Sequence, residues 1–141
     1  MKIKIKKLVS DAKLPQFSLE GDAAMDLYSI EDVTIKPGEK IVCKTGIAIK
    51  IPDGYAGFIW DRGSVGIVGG VKMLGGVFDS NYTGEWLIGM VNLMKKDFKI
   101  EKGQRIVQVV FQKIEKPEIE EVDNLEETNR GEGRFGHTGK F

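Results

Sequence analysis

Thr45-Gly46-Ile47-Ala48-Ile49-Lys50-Ile51-Pro52-Asp53-Gly54-Tyr55-Ala56-Gly57-Phe58-Ile59-Trp60 is the stretch that decides the fold class. From Thr45 to Ile51 it alternates as a half-buried strand does. Pro52-Asp53-Gly54 is turn chemistry: proline presets φ, aspartate bonds to nearby backbone, and glycine accepts a positive φ. Tyr55 to Trp60 then runs apolar and aromatic, as a buried strand does.

The same grammar extends in both directions. Ile3-Lys4-Ile5-Lys6 has period two, and so does Val33-Thr34-Ile35, closed by Pro37-Gly38. Downstream, Trp86 to Leu93 has the look of a buried strand. Phe98 to Ile100 leads into the turn Glu101-Lys102-Gly103, and Arg105 to Ile114 is the longest strand candidate. Eighteen glycines and four prolines punctuate these runs, and no window carries a long helical stripe. Many short strands at regular spacing predict an all-β sandwich or barrel. A chain of 141 residues with 41% hydrophobic content suits one domain with one core, without internal repeats.

The character changes at Pro117. Glu118-Ile119-Glu120-Glu121-Val122 reads as one more strand, pairing outside the main body. Asp123 to Arg130 is acidic and polar. Arg130 to Lys140 has almost no apolar content besides Phe135, so it lacks the means to fold alone and is suited to fold onto a ligand. The expected division is a β body over 1–122 and a flexible Gly/Arg-rich tail over 123–141.

Charge narrows the function. Lys plus Arg and Asp plus Glu both total 21, so the basic surplus of a general nucleic-acid binder is missing. A small anionic ligand stays open, because local cation placement matters more than the sum. The lone Cys43 excludes an intramolecular disulfide and favours a reducing compartment. Met1 to Val9 lacks the apolar run of a signal peptide, and no stretch approaches the roughly 20 apolar residues of a membrane span. These features predict a soluble cytoplasmic protein with no membrane partner.

Five segments carry candidate chemistry. Ala24-Met25-Asp26-Leu27-Tyr28-Ser29 holds a carboxylate in an otherwise apolar strand, where an unpaired charge is costly. Trp60-Asp61-Arg62-Gly63-Ser64-Val65-Gly66 ends a strand in an arginine fork, followed by small residues with accessible N–H groups. Gly75-Gly76-Val77-Phe78-Asp79-Ser80-Asn81-Tyr82-Thr83-Gly84-Glu85 offers Asp79 as a general base and Tyr82 as a sugar platform. Lys102-Gly103-Gln104-Arg105-Ile106-Val107-Gln108-Val109 sets the uncharged donor Gln108 among apolar neighbours. The tail offers Arg130, Arg134, Thr138 and Lys140 with interleaved glycines and Phe135, a composition suited to a triphosphate and a base. Read singly, each also has a plain structural reading: a strand-end cap, a polar turn, a hairpin, a solvated strand face, a disordered tail.

Taken in order, the five resemble the motifs of the trimeric dUTPase family, over Ala23 to Gly139. Gly76 to Glu85 and Arg130 to Gly139 carry the resemblance most strongly. It implies a distorted jelly-roll fold and a homotrimer with an exchanged C-terminal strand, which Pro117 to Val122 would supply. It implies three active sites, each built from all three subunits. The implied reaction is Mg²⁺-dependent hydrolysis of dUTP to dUMP and pyrophosphate, which limits uracil in DNA and supplies dUMP for dTMP synthesis. By the family pattern, Asp79 activates the attacking water and Tyr82 packs against deoxyribose. The backbone of Met73 to Val77, including Gly76, reads the uracil edge. Asp26 helps hold Mg²⁺ through water. Arg62, Gly63, Ser64 and Gln108 fall in phosphate-contacting segments. Phe135 stacks on uracil as the tail closes, with Arg130, Gly136 and Thr138 on the phosphates.

The pattern departs from the family in places. Arg62-Gly63-Ser64 stands where Arg-Ser-Gly or Arg-Ser-Ser is usual, so either Ser64 supplies the hydroxyl or a backbone N–H replaces it. Asn81, Gln104, Arg134 and His137 stand where an acid, Asp, Gly and Ser are frequent. Two alternatives remain: a dCTP-deaminase-related enzyme, with Glu85 a weak match to its catalytic glutamate, and a non-catalytic β module.

Overall fold

The computed structural model describes residues 1–135 and Thr138. Its strands are β1 (Lys4–Lys7), β2 (Met25–Tyr28), β3 (Val33–Ile35), β4 (Lys40–Lys50), β5 (Tyr55–Asp61), β6 (Val71–Leu74), β7 (Val77–Phe78), β8 (Glu85–Asn92), β9 (Phe98–Ile100) and β10 (Arg105–Lys113). One four-stranded sheet has the order β1-β4-β8-β6, a second β2-β10-β5-β7, and β3 pairs with β9. These pairings are antiparallel. The architecture is the expected all-β, jelly-roll-like one.

Alternation sets what each sheet buries. Along β8, Trp86, Ile88, Met90 and Asn92 are buried while Leu87 is exposed. Ile47, Ile49, Trp86, Ile88 and Met90 from the first sheet and Leu27, Ile59, Val107 and Val109 from the second belong to one core. Buried Asn92 is fully engaged: its amide donates to the carbonyls of Ile35 and Lys96, both at 2.8 Å, and its oxygen accepts from Met94 N–H.

The strand expected from Thr45 begins earlier, at Lys40, and bends in its middle. Its pairing with β8 slips between Lys44 and Ala48. Gly46 stands at the slip with φ +66, and an added Cβ would lie 2.8 Å from Ile30 and from Val9. The Glu85 carboxylate accepts the Gly46 N–H at 2.9 Å, and Thr45 Oγ1 donates to the Trp86 carbonyl at 2.6 Å. The bend is thus held by side chains where the ladder is interrupted.

One sequence expectation changes. A single π-helical turn, Ser64–Val68, follows β5 where small residues promised only an open turn. The expected strand Pro117–Val122 has no strand partner within the described chain. Ile114 N–H donates to the Gly54 carbonyl, and beyond it Ile119 is 96% exposed. A strand that leaves its own body lacks a ladder until another edge receives it.

Gly46→Ala is expected to destabilise the chain by about 1–3 kcal/mol, the usual cost of a side chain held in a sparsely populated backbone region. Urea unfolding at fixed protein concentration measures it; an unchanged midpoint would show that the bend relaxes freely.

Candidate active site

Strand register brings the first group of residues together. Gln108 of β10 lies opposite Asp26 of β2 and opposite Trp60 of β5, so the three share one face of the second sheet. Arg105 and Gln108 are three apart and would ordinarily point to opposite faces. The register shift between Arg105 and Val107 changes this: Arg105 lies opposite Tyr28 and Val107 opposite Leu27, which leaves Ile106 as the extra residue of a bulge. Ile106 and Val107 are accordingly both buried, and Arg105 comes round to the side of Asp26.

The Asp26 carboxylate, 9% exposed, is the centre of this group. Arg62 Nε pairs with its Oδ1 at 2.7 Å and Arg105 Nε with its Oδ2 at 3.1 Å. Ser18 Oγ donates to Oδ2 at 2.9 Å. A carboxylate buried this deeply needs such partners. Around it opens a cleft of about 540 Å³ lined by Arg62, Gly63, Ser64, Gln108, Asp26 and Trp60, among others. Gln108 Nε2 donates to the Asp61 carbonyl at 2.8 Å, which fixes its amide at the cleft wall. Of the sequence-predicted residues, Asp26, Arg62, Gly63, Ser64 and Gln108 therefore share one cleft.

Asp79, Tyr82 and Val77 share another, smaller hollow of about 250 Å³ with Phe78 and Leu87. Phe78 is stacked on buried Trp86, with centroids 4.0 Å apart and planes at 16°. That stack anchors the turn that follows. Tyr82 N–H donates to the Asp79 carbonyl at 3.2 Å, Lys50 Nζ donates to the Ser80 carbonyl at 2.8 Å, and Tyr82 Oη donates to the Glu85 carbonyl at 2.8 Å. Asp79 itself is exposed. Glu85 is spent on the Gly46 N–H, a structural task at the β4 bend.

Between the two lies the hairpin Met73–Val77. Gly76 has φ +120, and its carbonyl accepts Ile59 N–H at 2.8 Å. Met73 is buried, and its N–H already donates to Asp61 Oδ1 at 2.8 Å. Met73 therefore anchors the hairpin rather than offering its N–H to a ligand.

The two hollows do not merge within one chain. Phe78 lies opposite Gly57, which brings Asp79 level with Ala56, six residues from Arg62. At about 3.3 Å per residue that is roughly 20 Å. No described tail residue lines either hollow. Phe135 is fully exposed, Thr138 is exposed, and Arg130 Nε donates to its neighbour, the Gly133 carbonyl, at 3.0 Å. Gly136 lies outside the described residues.

The donor set limits what cation the chain could hold. Among the described residues no group of three His, Cys, Asp or Glu side chains gathers to form a cage. A carboxylate has about four lone-pair directions. Both oxygens of Asp26 lie against guanidinium groups, and Oδ2 also accepts the Ser18 hydroxyl, which leaves little of the carboxylate open. That suits a single water-mediated contact to a hydrated ion and not direct chelation. Cys43 is no nucleophile: it is wholly buried, burial raises its thiol pKa, and its Sγ donates to Ser29 Oγ at 3.2 Å.

Sequence reasoning misses two residues here. Arg105 is hidden by the bulge, which reverses its expected facing. Asp61 reads as an ordinary strand-end acid, and only its contacts reveal otherwise.

Asp26→Asn removes the charge that two guanidinium groups share. The expected loss is about 1.5–3 kcal/mol, the range for hydrogen bonds to charged groups. The urea midpoint checks it, and a variant as stable as the parent would deny the carboxylate its organising role.

Known proteins match this chain over nearly all its length. The dUTPase family model covers residues 10–139. A Clostridium tetani protein called deoxyuridine 5'-triphosphate nucleotidohydrolase is 44% identical over 140 residues, 98% of this chain and 97% of its own. A solved structure of a Staphylococcus bacteriophage 80alpha dUTPase variant with dUpNHpp superposes with a TM-score of 0.91 at 30% identity, covering 98% of each chain. A variant dUTPase from phage phi11 of S. aureus, solved to detail the coordination of a structural Mg(II) ion, has a TM-score of 0.83 at 25% identity, covering 90% of this chain and all of its own.

Proposed function

We propose, from the premise that this chain belongs to the dUTPase family and hydrolyses dUTP to dUMP and pyrophosphate, that Asp79 is the general base and that each active site is assembled from several copies of the chain. The observation that carries this reading is the separation of Asp79 from the Arg62 cleft: two half-sites in one chain, roughly 20 Å apart by strand rise, that share no lining residue. One α-phosphate cannot touch both. Two copies set side by side can join the Asp79 hollow of one to the Arg62 cleft of the next.

The surface supports such an assembly. Val42, Leu87 and Leu74 are exposed on the first sheet, and Trp60, Ile67 and Leu93 are exposed around the second. Apolar surface of this extent is what subunit contacts cover. Exposed Ile119, Val122 and Leu125 suit this segment to add a strand to a neighbour and carry the tail onward. We take the assembly to be a homotrimer with an exchanged C-terminal strand, with 1–122 as body and 123–141 as closing tail.

In this reading Asp79 accepts a proton from water as it attacks the α-phosphorus in line. Its carboxylate is exposed and without a hydrogen-bond partner among the described residues, so both oxygens are open to water. Leu74, Gly75, Gly76 and Val77 present main-chain groups to the uracil edge, while Tyr82, held at its hydroxyl, sets its ring against the sugar. Arg62, Gly63, Ser64 and Gln108 of the neighbouring copy bind phosphate oxygens through guanidinium, hydroxyl and N–H groups. With Gly63 in the middle position, the adjacent Ser64 supplies the hydroxyl. Arg130, Phe135, Gly136 and Thr138 close over the bound nucleotide and exclude bulk water. Mg²⁺, bound to the triphosphate and keeping most of its water, would neutralise phosphate charge, with Asp26 accepting from one of its waters.

Asp79→Asn is expected to lower turnover by about 10²–10⁴-fold, the range for a lost general base, while calorimetry shows a non-hydrolysable deoxyuridine analogue still bound. Near-normal turnover removes Asp79 from its role. The shared-site reading has a sharper test. Asp79→Asn and Arg62→Ala chains, each inactive alone, are unfolded together and refolded. Mixed assemblies should regain activity, because some sites then draw Asp79 and Arg62 from intact copies; no recovery would mean that each chain builds its own site.

A further inference from the structure

We infer that Asp61 is a positioning residue that holds the base-reading hairpin at a fixed distance from the phosphate-binding turn. The two segments belong to different sheets: β6 lies at the edge of the first and β5 is in the second. No ladder joins β6 itself to β5. The hairpin is tied to β5 at both ends, and its far end runs into β7, whose Val77 and Phe78 pair with Phe58 and Gly57. At the far end, Ile59 N–H donates to the Gly76 carbonyl at 2.8 Å. At the near end, the Asp61 side chain accepts Met73 N–H on Oδ1 at 2.8 Å and pairs with Lys72 Nζ on Oδ2. The first clamp is main chain on both sides. The second depends on one side chain.

Asp61 has a third tie. Its own carbonyl accepts Gln108 Nε2 at 2.8 Å, and the next residue, Arg62, is drawn to Asp26 at 2.7 Å. One residue therefore touches the entrance of the hairpin, the amide at the cleft wall and the start of the phosphate turn. Its carboxylate is 25% exposed, so the bond to Met73 N–H is partly shielded from water, and the charge on the acceptor strengthens it.

This inference rests on the reading that Leu74–Val77 recognises the base. Uracil and cytosine differ in their donor and acceptor pattern, so a hairpin read by main-chain groups must keep its position to within a few tenths of an ångström to tell them apart. If the near clamp is lost, the hairpin pivots about its far end, where Gly76, Val77 and Phe78 stay paired with β5. Substrate binding and base preference then suffer, while the chemistry at Asp79 is preserved.

The test compares Asp61→Ala, Asp61→Asn and Lys72→Ala in the assembled enzyme, with KM and kcat on dUTP and dCTP. Asp61→Ala should raise KM for dUTP about tenfold, lower the preference for dUTP over dCTP by a similar factor, and leave kcat within a few-fold. Asp61→Asn keeps an acceptor for Met73 N–H and should restore most of both; Lys72→Ala should change little. Unchanged KM and preference in Asp61→Ala overturns the inference, and so does an equal loss in Asp61→Asn. Amide exchange of the parent enzyme gives a measurement that needs no folded variant: the Met73 amide should be protected, and fast exchange there also overturns it. Gly76→Ala separates the two claims. If it abolishes base preference and Asp61→Ala does not, only the clamp fails; if neither alters preference, the hairpin is not the base reader.

Discussion

A carboxylate taken out of water has to be matched by cations, and in this protein that requirement organises the whole cationic cleft. Asp26 sits on a short apolar strand with Leu27 and Tyr28 buried beside it. Its two oxygens draw Arg62 from the end of β5 and Arg105 from the start of β10. Two guanidinium groups around one carboxylate leave a net positive site, which is what a chain of phosphates needs. The neutralisation also fixes geometry: neither arginine is free to swing away from the cleft without stranding a buried charge. The bulge at Ile106 belongs to the same arrangement, since without it Arg105 would face the core.

The sequence makes the strands legible because their period is two and their turns carry proline, glycine and aspartate. Val33–Ile35 and Phe98–Ile100 match to the residue, and Tyr55–Trp60 is short by one. What escapes is non-periodic. The bend at Gly46 and the bulge at Ile106 are single-residue events within runs that look continuous, and the residues engaged beside them, Glu85 in one case and Asp26 in the other, lie far away in sequence. The π-helical turn at Ser64–Val68 is too short to carry a helical stripe.

The candidate site divides in the same way. Asp26, Arg62 and Gln108 can be named from residue type and order, but that they share a face follows from the register of β2, β10 and β5. Asp79 and Tyr82 can be named too, while the rigidity of their turn depends on the Phe78–Trp86 stack and on Lys50. Met73 shows how naming can mislead. Residue order singles out its segment, yet its N–H is engaged by a carboxylate that no local pattern marks as special.

The distance along β5 that keeps the two hollows apart has a consequence for the life of the molecule. On the proposed shared-site reading, a polypeptide freshly released from the ribosome carries both halves of the catalytic apparatus and can use neither. Competence would then begin only when copies meet, and the onset of nucleotide cleavage would follow the kinetics of encounter as well as those of folding. In a cell that makes little of this protein, the delay between synthesis and usefulness would lengthen with scarcity, and dilution would silence the enzyme before it unfolded it.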